Sequence, residues 1–213
     1  MEQRRQNKTP GYILVLPSWV RYILCSFFLI HKKTKRKSIY LTFDDGPIPE
    51  VTPTVLKILR ERNIKATFFC VGENIVKHRN VYDQVISEGH SVGSHTFHHL
   101  NGFKTNCKTY TNDAQKAAKL VSGNLFRPPY GRITFCQYLS LRPKFKIVLW
   151  SILSGDYLAD FTSQDCINTV LLNIKKGDII VFHDSIKAAP RMLEALPVVI
   201  DHLKEKGYHF ETL

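Results

Sequence analysis

From residue 38 to the end of the chain, short runs of β-branched and aromatic residues alternate with stretches of helical period. Strands are predicted at 38–43, 65–71, 90–94, 124–127, 145–151, 178–183 and 208–213, with helices at 51–62, 81–88, 110–121, 134–141, 162–175 and 189–205. Turn signals such as Asp45-Gly46-Pro47 and Lys176-Gly177-Asp178 sit where the runs stop. Strands alternating with helices imply right-handed βαβ units and a mostly parallel sheet or barrel. No internal repeat or low-complexity linker divides this region, so 38–213 reads as one domain behind an extension, 1–37.

The extension holds the longest apolar stretch, from Tyr12 to Ile30, interrupted by Pro17, Ser18, Arg21 and Ser26. Its length could span a bilayer, but a central arginine is costly in hydrocarbon and Pro17 breaks helical hydrogen bonding. Three readings stay open: an element packed on the main domain, an interfacial membrane helix, or a spanning anchor. No small-residue cleavage site follows, so a cleavable signal peptide is not evident. The basic run 31–37 would hold the domain on the cytoplasmic side, which leaves a cytoplasmic or membrane-associated protein with membrane-surface contact through residues 11–37.

Composition narrows the function classes. The 213 residues are 44% hydrophobic, 11% aromatic and 23% charged, which suits a globular fold rather than a disordered chain. The net charge of +12 is lopsided: residues 1–37 hold nine Lys and Arg against Glu2 alone, leaving the rest almost balanced. A nucleic-acid-binding domain would spread basic residues over its folded surface, so no nucleic-acid partner is expected. The five cysteines form no CxxC pair and argue against a disulfide framework, against a thiolate zinc site and for a reducing compartment.

In folds of this kind reactive groups gather at the carboxyl ends of the strands. Those ends carry Asp44-Asp45, His95 and His99, Arg127, and His183-Asp184. Taken alone, Asp44-Asp45-Gly46-Pro47 reads as a turn, and a lone His-x3-His pair is more often structural. Together they suggest more. His95 and His99 are four apart, so one helical turn would face both imidazoles the same way. With one carboxylate they form a two-His-one-carboxylate set with positions left open for water and substrate. The second aspartate could take a proton from water, and His183, with an ordinary pKa near about 6.5, could act as acid. His98, facing elsewhere, is read as structural. Asp184 reads equally well as a strand terminator or a site group.

The ordered blocks TFDDGP (42–47), ATFFCVG (66–72), GHSVGSHTFHH (89–99), FRPPYG (126–131) and IIVFHD (179–184), with a tryptophan block at 150–157, resemble the NodB-type polysaccharide deacetylases, carbohydrate esterase family four. That resemblance implies a distorted (β/α)7 barrel and a hydrolase that removes acetyl groups from N-acetylated sugars of a chitin-oligomer or peptidoglycan type. It implies Asp44 as base and Asp45, His95 and His99 as ligands of a divalent metal, zinc foremost, with cobalt or nickel as alternatives. Arg127 would orient Asp44, the Tyr130 backbone N–H would steady the oxyanion, and His183 would be the acid. Pro128, Trp150, Asp156 and Tyr157 would line the substrate pocket. The pattern is departed from at Leu153, where the family carries an aspartate expected to pair with the acid histidine, and at Tyr157, where it carries tryptophan. Without that carboxylate the imidazolium should have a lower pKa unless Asp184 or Asp156 substitutes. Two other readings remain: a deacylase acting on another C–N or ester bond (an O-acetyl sugar, formamide or imide), and a non-catalytic carbohydrate-binding barrel.

Overall fold

A computed structural model of the chain describes residues 14–17, 19–20, 24 and 26–213. Eight parallel strands run β1 Ser38–Asp44, β2 Thr67–Cys70, β3 Ser91–Ser94, β4 Leu125–Phe126, β5 Lys146–Ile147, β6 Ile152–Leu153, β7 Ile179–His183 and β8 His209–Phe210. Their order is β5-β4-β3-β2-β1-β7-β6, with β8 on the lower end of β1. All seven residues of β1 are buried, as a central strand covered on both faces requires. Phe43 stacks on Phe68 at 4.9 Å and lies 6.4 Å from Phe182, so β1, β2 and β7 share one apolar layer.

Among the described residues seven helices flank the sheet: α1 Thr52–Glu61, α2 Gly72–Lys77, α3 Arg79–Ser87, α4 Cys107–Ala118, α5 Phe135–Leu141, α6 Ser163–Leu171 and α7 Ala189–Glu205. Local sequence explains several starts. Thr134 with Gln137 and Thr162 with Asp165 form reciprocal capping boxes at α5 and α6. The short α2 has no apolar period of its own. It forms because its first amides, from Gly72 and Glu73, donate to the Thr96 and Phe97 carbonyls at 2.9 Å.

The expected strand 145–151 contains only β5, and the chain then crosses to the opposite end of the sheet, where β6 follows directly at Ile152–Leu153. Val148 N–H donates to Phe126 O on one side, and Ser151 N–H to Ile179 O on the other. One bent segment thus bonds both edges, and the sheet curls into the distorted (β/α) barrel. A single apolar run in sequence cannot reveal that its two halves have different partners.

Part of the extension packs on this seam. Leu29 N–H donates to Ile147 O and Leu29 O accepts from Leu149 N–H, while Ile30 is fully buried. Val15 bridges Ile152, and His31 bridges Asp178. Tyr12, Ser18, Arg21 and Cys25 lie outside the described residues, and among those described no helix is long and apolar enough to cross a membrane. The cysteine expectation needs one correction: Cys107 and Cys136 form a disulfide that joins the first turns of α4 and α5. Spacing in sequence could not reveal it, because only the packing of the two helices brings their Cα atoms to 6.2 Å.

Phe43→Ala removes a fully buried ring from the shared layer and should cost about 3–5 kcal/mol, measured as a lower urea midpoint with the slope unchanged.

Candidate active site

The carboxyl ends of β1, β3, β4 and β7 bring the predicted groups to one rim. Asp45 Oδ1 lies 3.2 Å from His99 Nε2 and 3.8 Å from His95 Nε2, and the three residues offer ligand atoms within 4.8 Å of one another. His95 is fixed by its other ring nitrogen: Nδ1 sits 2.8 Å from the Arg127 carbonyl, which can only accept, so Nδ1 carries the proton and Nε2 keeps its lone pair. Burial, the largest influence, pushes the His95 pKa down to about 4, so the ring is neutral at ordinary pH. Asp45 behaves oppositely. Burial would raise it, but the hydrogen bond from His99 and the nearby charge of His183 hold it below the usual carboxylate range. An anionic carboxylate and a neutral imidazole with a free lone pair suit a divalent cation.

The helical turn expected across 95–99 is not formed. The segment is a bend in which Thr96 (φ 61°) and His99 (φ 54°) are left-handed, and the two imidazoles approach at a centroid distance of 5.0 Å. A buried carboxylate holds the bend. Asp113 Oδ1 accepts from the Phe97 and His98 amides at 2.7 and 3.0 Å, and Oδ2 pairs with His98 Nδ1 at 2.5 Å. His98 is therefore structural, as read from its position. Asp113 itself escaped the sequence reading. Its signal was a charge on the buried stripe Tyr110, Asp113, Ala114 and Ala117 of α4.

Asp44 is buried beside the fully buried Arg127. Arg127 Nη1 donates to Asp44 Oδ1 at 2.6 Å and to Thr42 Oγ1 at 2.8 Å, Nη2 donates to Leu149 O at 3.2 Å, and the guanidinium lies 4.0 Å from the centre of the Phe69 ring. Asp45 has φ 86°. The turn after it is gripped by Asp184, whose Oδ1 accepts from Gly46 N–H at 3.0 Å and whose Oδ2 accepts from the Thr52 hydroxyl at 2.6 Å. A Cβ at position 46 would fall 2.0 Å from Asp184 Oδ2, so glycine is required there. Asp184 thus supports the turn and does not pair with His183.

The partner of His183 is Asp156. Its Oδ1 lies 2.8 Å from His183 Nδ1, and its Oδ2 accepts the His183 amide at 2.7 Å. Arg191 Nε donates to the Asp156 carbonyl at 2.7 Å. Burial opposes charging of His183, but Asp156 outweighs it and raises the pKa to about 9. Of the two substitutes considered, Asp156 supplies the carboxylate, so the lowering expected without a partner does not occur. Leu153 is a buried strand residue, not the site of a missing partner. The Asp156 pairing depends on the turn at Gly155 (φ 83°), which spacing alone did not reveal.

Tyr130 has φ 60° in the turn Pro129–Gly131, with its ring 4.8 Å from that of His99. Pro128 and Pro129 are buried and set the turn. Trp150 lies beneath it, where a Cβ on Gly131 would come within 2.6 Å of the indole. The Tyr157 ring stands 5.1 Å from His183. Asn74, also missed in sequence, donates to the Asp45 carbonyl at 2.8 Å.

Fold and site together define a hydrolase whose reactive groups stand on the rim of a parallel barrel. Comparison with known proteins gives the family: residues 31–136 match the polysaccharide deacetylase model, and the chain belongs to that family, carbohydrate esterase family four. A peptidoglycan-N-acetylglucosamine deacetylase of Bacillus cereus is 36% identical over 205 residues, covering 92% of this chain and 73% of that protein. A chitooligosaccharide deacetylase of Azorhizobium caulinodans is 33% identical over 201 residues, covering 84% and 93%. The crystal structure of a peptidoglycan N-acetylglucosamine deacetylase in complex with 4-naphthalen-1-yl-N-oxidanyl-benzamide superposes with a TM-score of 0.84 at 33% identity, covering 92% of this chain and 95% of that one.

Because Asp113 fixes the loop that carries His99, Asp113→Ala should weaken Zn²⁺ binding roughly 10- to 100-fold, read by competition with a chromophoric chelator. Unchanged affinity in the folded variant would remove Asp113 from this supporting role.

Proposed function

We propose that this enzyme removes the acetyl group from N-acetylated sugars of a peptidoglycan or chitin-oligomer glycan, releasing acetate and leaving a free amine. Asp45, His95 and His99 would hold a divalent ion, zinc first among the candidates. When bound, that ion would polarise the acetamido carbonyl and ease deprotonation of water. The observation that carries the reading is the register of β1 and β7, where Asp44 and His183 are direct Cα partners. Parallel neighbours stand about 4.8 Å apart, so a base and an acid flank one reacting group beside the three-donor cluster.

Asp44 takes the proton of the attacking water. Arg127 aims this carboxylate with a charged hydrogen bond, since a guanidinium stays protonated even when burial pulls its pKa down. His183 is already imidazolium at neutral pH through Asp156, and gives its Nε2 proton to the leaving nitrogen. The Tyr130 N–H, which has no acceptor among the described residues, is offered to the oxygen that gains charge. Pro128, Trp150, Asp156 and Tyr157 form the wall around the acetyl group. The names of the relatives support an N-acetyl sugar as substrate.

The test is metal analysis of the purified enzyme, followed by acetate release from chitin oligomers, peptidoglycan fragments and acetylated xylan. Stoichiometric divalent metal and release from N-acetyl substrates are expected, and release from the xylan alone would overturn the proposal. Asp44→Asn should retain metal and slow turnover about 100-fold or more.

The pH profile has a definite sign. A raised pKa keeps His183 protonated below about 9, so activity should fall as pH rises through that value. In Asp156→Asn the anion is gone while burial remains, so the alkaline limb should move down by about 1–2 pH units. An unmoved limb would show that His183 is not the acid.

A further inference from the structure

Because every strand is parallel, the strand carboxyl ends with the site form one face and the strand amino ends form the opposite face. The second face is strongly basic. Lys33, Lys35 and Arg36 are exposed just before β1, and Lys175 and Lys176 just before β7. These loops touch: Lys176 Nζ lies 3.3 Å from Lys35 O, and Lys37 Nζ donates to Lys206 O at 2.6 Å. Arg142 and Lys144 ahead of β5, and Lys146 at its first position, add exposed cations. Opposing charge is mostly engaged by internal partners: at the helix ends that share this face, Glu88 pairs with Arg60, and Glu61 and Asp201 with Arg62. Asp178 is buried and paired with His31, Glu211 accepts from Ser38 and Tyr40, and Glu205 is exposed among Lys204 and Lys206.

Large apolar groups stand among these cations. Leu172 is 82% exposed and Phe27 52%. Leu172 and Lys175 border one groove with Pro17, and Phe27 borders another with Arg142 and Lys146. Trp19, two residues past Pro17, is 69% exposed. Cations interleaved with exposed aromatic and aliphatic side chains match a bilayer interface, where the rings enter the headgroup region and the charges meet anionic lipid. Duplex nucleic acid, bound through its phosphates, would need no such apolar groups.

We propose that this face docks on an anionic lipid bilayer. Strand β1 separates it from the site by about 20 Å, so the site opens away from the lipid toward a polymer above it. The inference is independent of the reaction catalysed.

The test is co-sedimentation of the full chain with vesicles of phosphatidylcholine alone or mixed equally with phosphatidylglycerol, over a NaCl series. Binding should require phosphatidylglycerol and weaken with salt. Each basic residue at a lipid surface contributes about fivefold in affinity, so the triple change Lys33→Gln, Lys35→Gln and Arg36→Gln should reduce it about a hundredfold. Lys175→Gln with Lys176→Gln should reduce it roughly 30-fold. Lys57→Gln with Lys77→Gln, on helices α1 and α2, should leave binding intact. Acetate release by all these variants should match the parent. Absence of binding to the mixed vesicles at low salt, equal binding to phosphatidylcholine alone, or undiminished binding by the triple variant would each overturn the proposal. So would a duplex oligonucleotide that displaces the protein from vesicles at physiological salt.

Discussion

The site depends on one residue, Arg127. Its side chain grips Asp44 on β1, while its own carbonyl fixes His95 at the end of β3. The charge that orients the proposed base and the acceptor that sets the tautomer of a proposed metal-ligand imidazole are thus atoms of a single residue. Desolvation of a guanidinium is expensive, and here Asp44, Thr42, Leu149 O and the face of Phe69 offset it together. Removing Asp44 would leave a buried cation uncompensated, a loss of about 3–5 kcal/mol. Stability and chemistry are therefore coupled at this pair, and a neutral isostere tests the chemistry more cleanly than a truncation does.

Around that pair the backbone is strained in an orderly way. Asp45, Thr96, His99 and Tyr130 all have positive φ, and each stands just past a strand end. Left-handed backbone at a non-glycine residue costs about 1–3 kcal/mol and persists only where its surroundings over-determine it. Two buried carboxylates provide much of that support. Asp184 holds the turn after Asp45, and Asp113 holds the bend between Thr96 and His99. Burial pushes the Asp184 carboxyl up to about 7 despite the lowering effect of the Thr52 hydroxyl, so the turn is braced by a group whose ionisation is itself costly. The proposed ligands are presented by backbone that other residues keep in place.

What could be read from sequence follows the same division. The alternation of runs carried the barrel, and strand ends carried Asp44, Asp45, His95, His99, Arg127 and His183, because those features are periodic or terminal. The division of the apolar run 145–153 into β5 and β6 was hidden, since nothing in the run marks where its partners change. The helical reading of His95–His99 failed because spacing sets a separation without setting φ. The partner of His183 stayed open between Asp156 and Asp184, because only the turn at Gly155 shows that Asp156 comes back to β7. Asp113 could have been found: a charged residue on the buried stripe of a helix must have donors waiting.

The basic face has a partly structural origin, and separating the two contributions sharpens its meaning. In a parallel barrel the helices run back against the strands, so their C-terminal ends, with partial negative charge, point to the strand amino ends. Arg60, Lys116 and Lys204 occupy last turns, where they complement those dipoles. That accounts for cations at helix ends and for no others. Lys33, Lys35 and Arg36 precede a strand, and Lys176 lies five residues beyond the end of α6, outside the last turn to which the dipole effect extends. Self-repulsion among these loops opposes folding, and their contact through Lys176 and Lys35 O concentrates the charge further. A cluster that neither the helix dipoles nor internal pairing neutralises is relieved by an external anionic surface, and the exposed Phe27 and Leu172 beside it select a surface with an apolar interior.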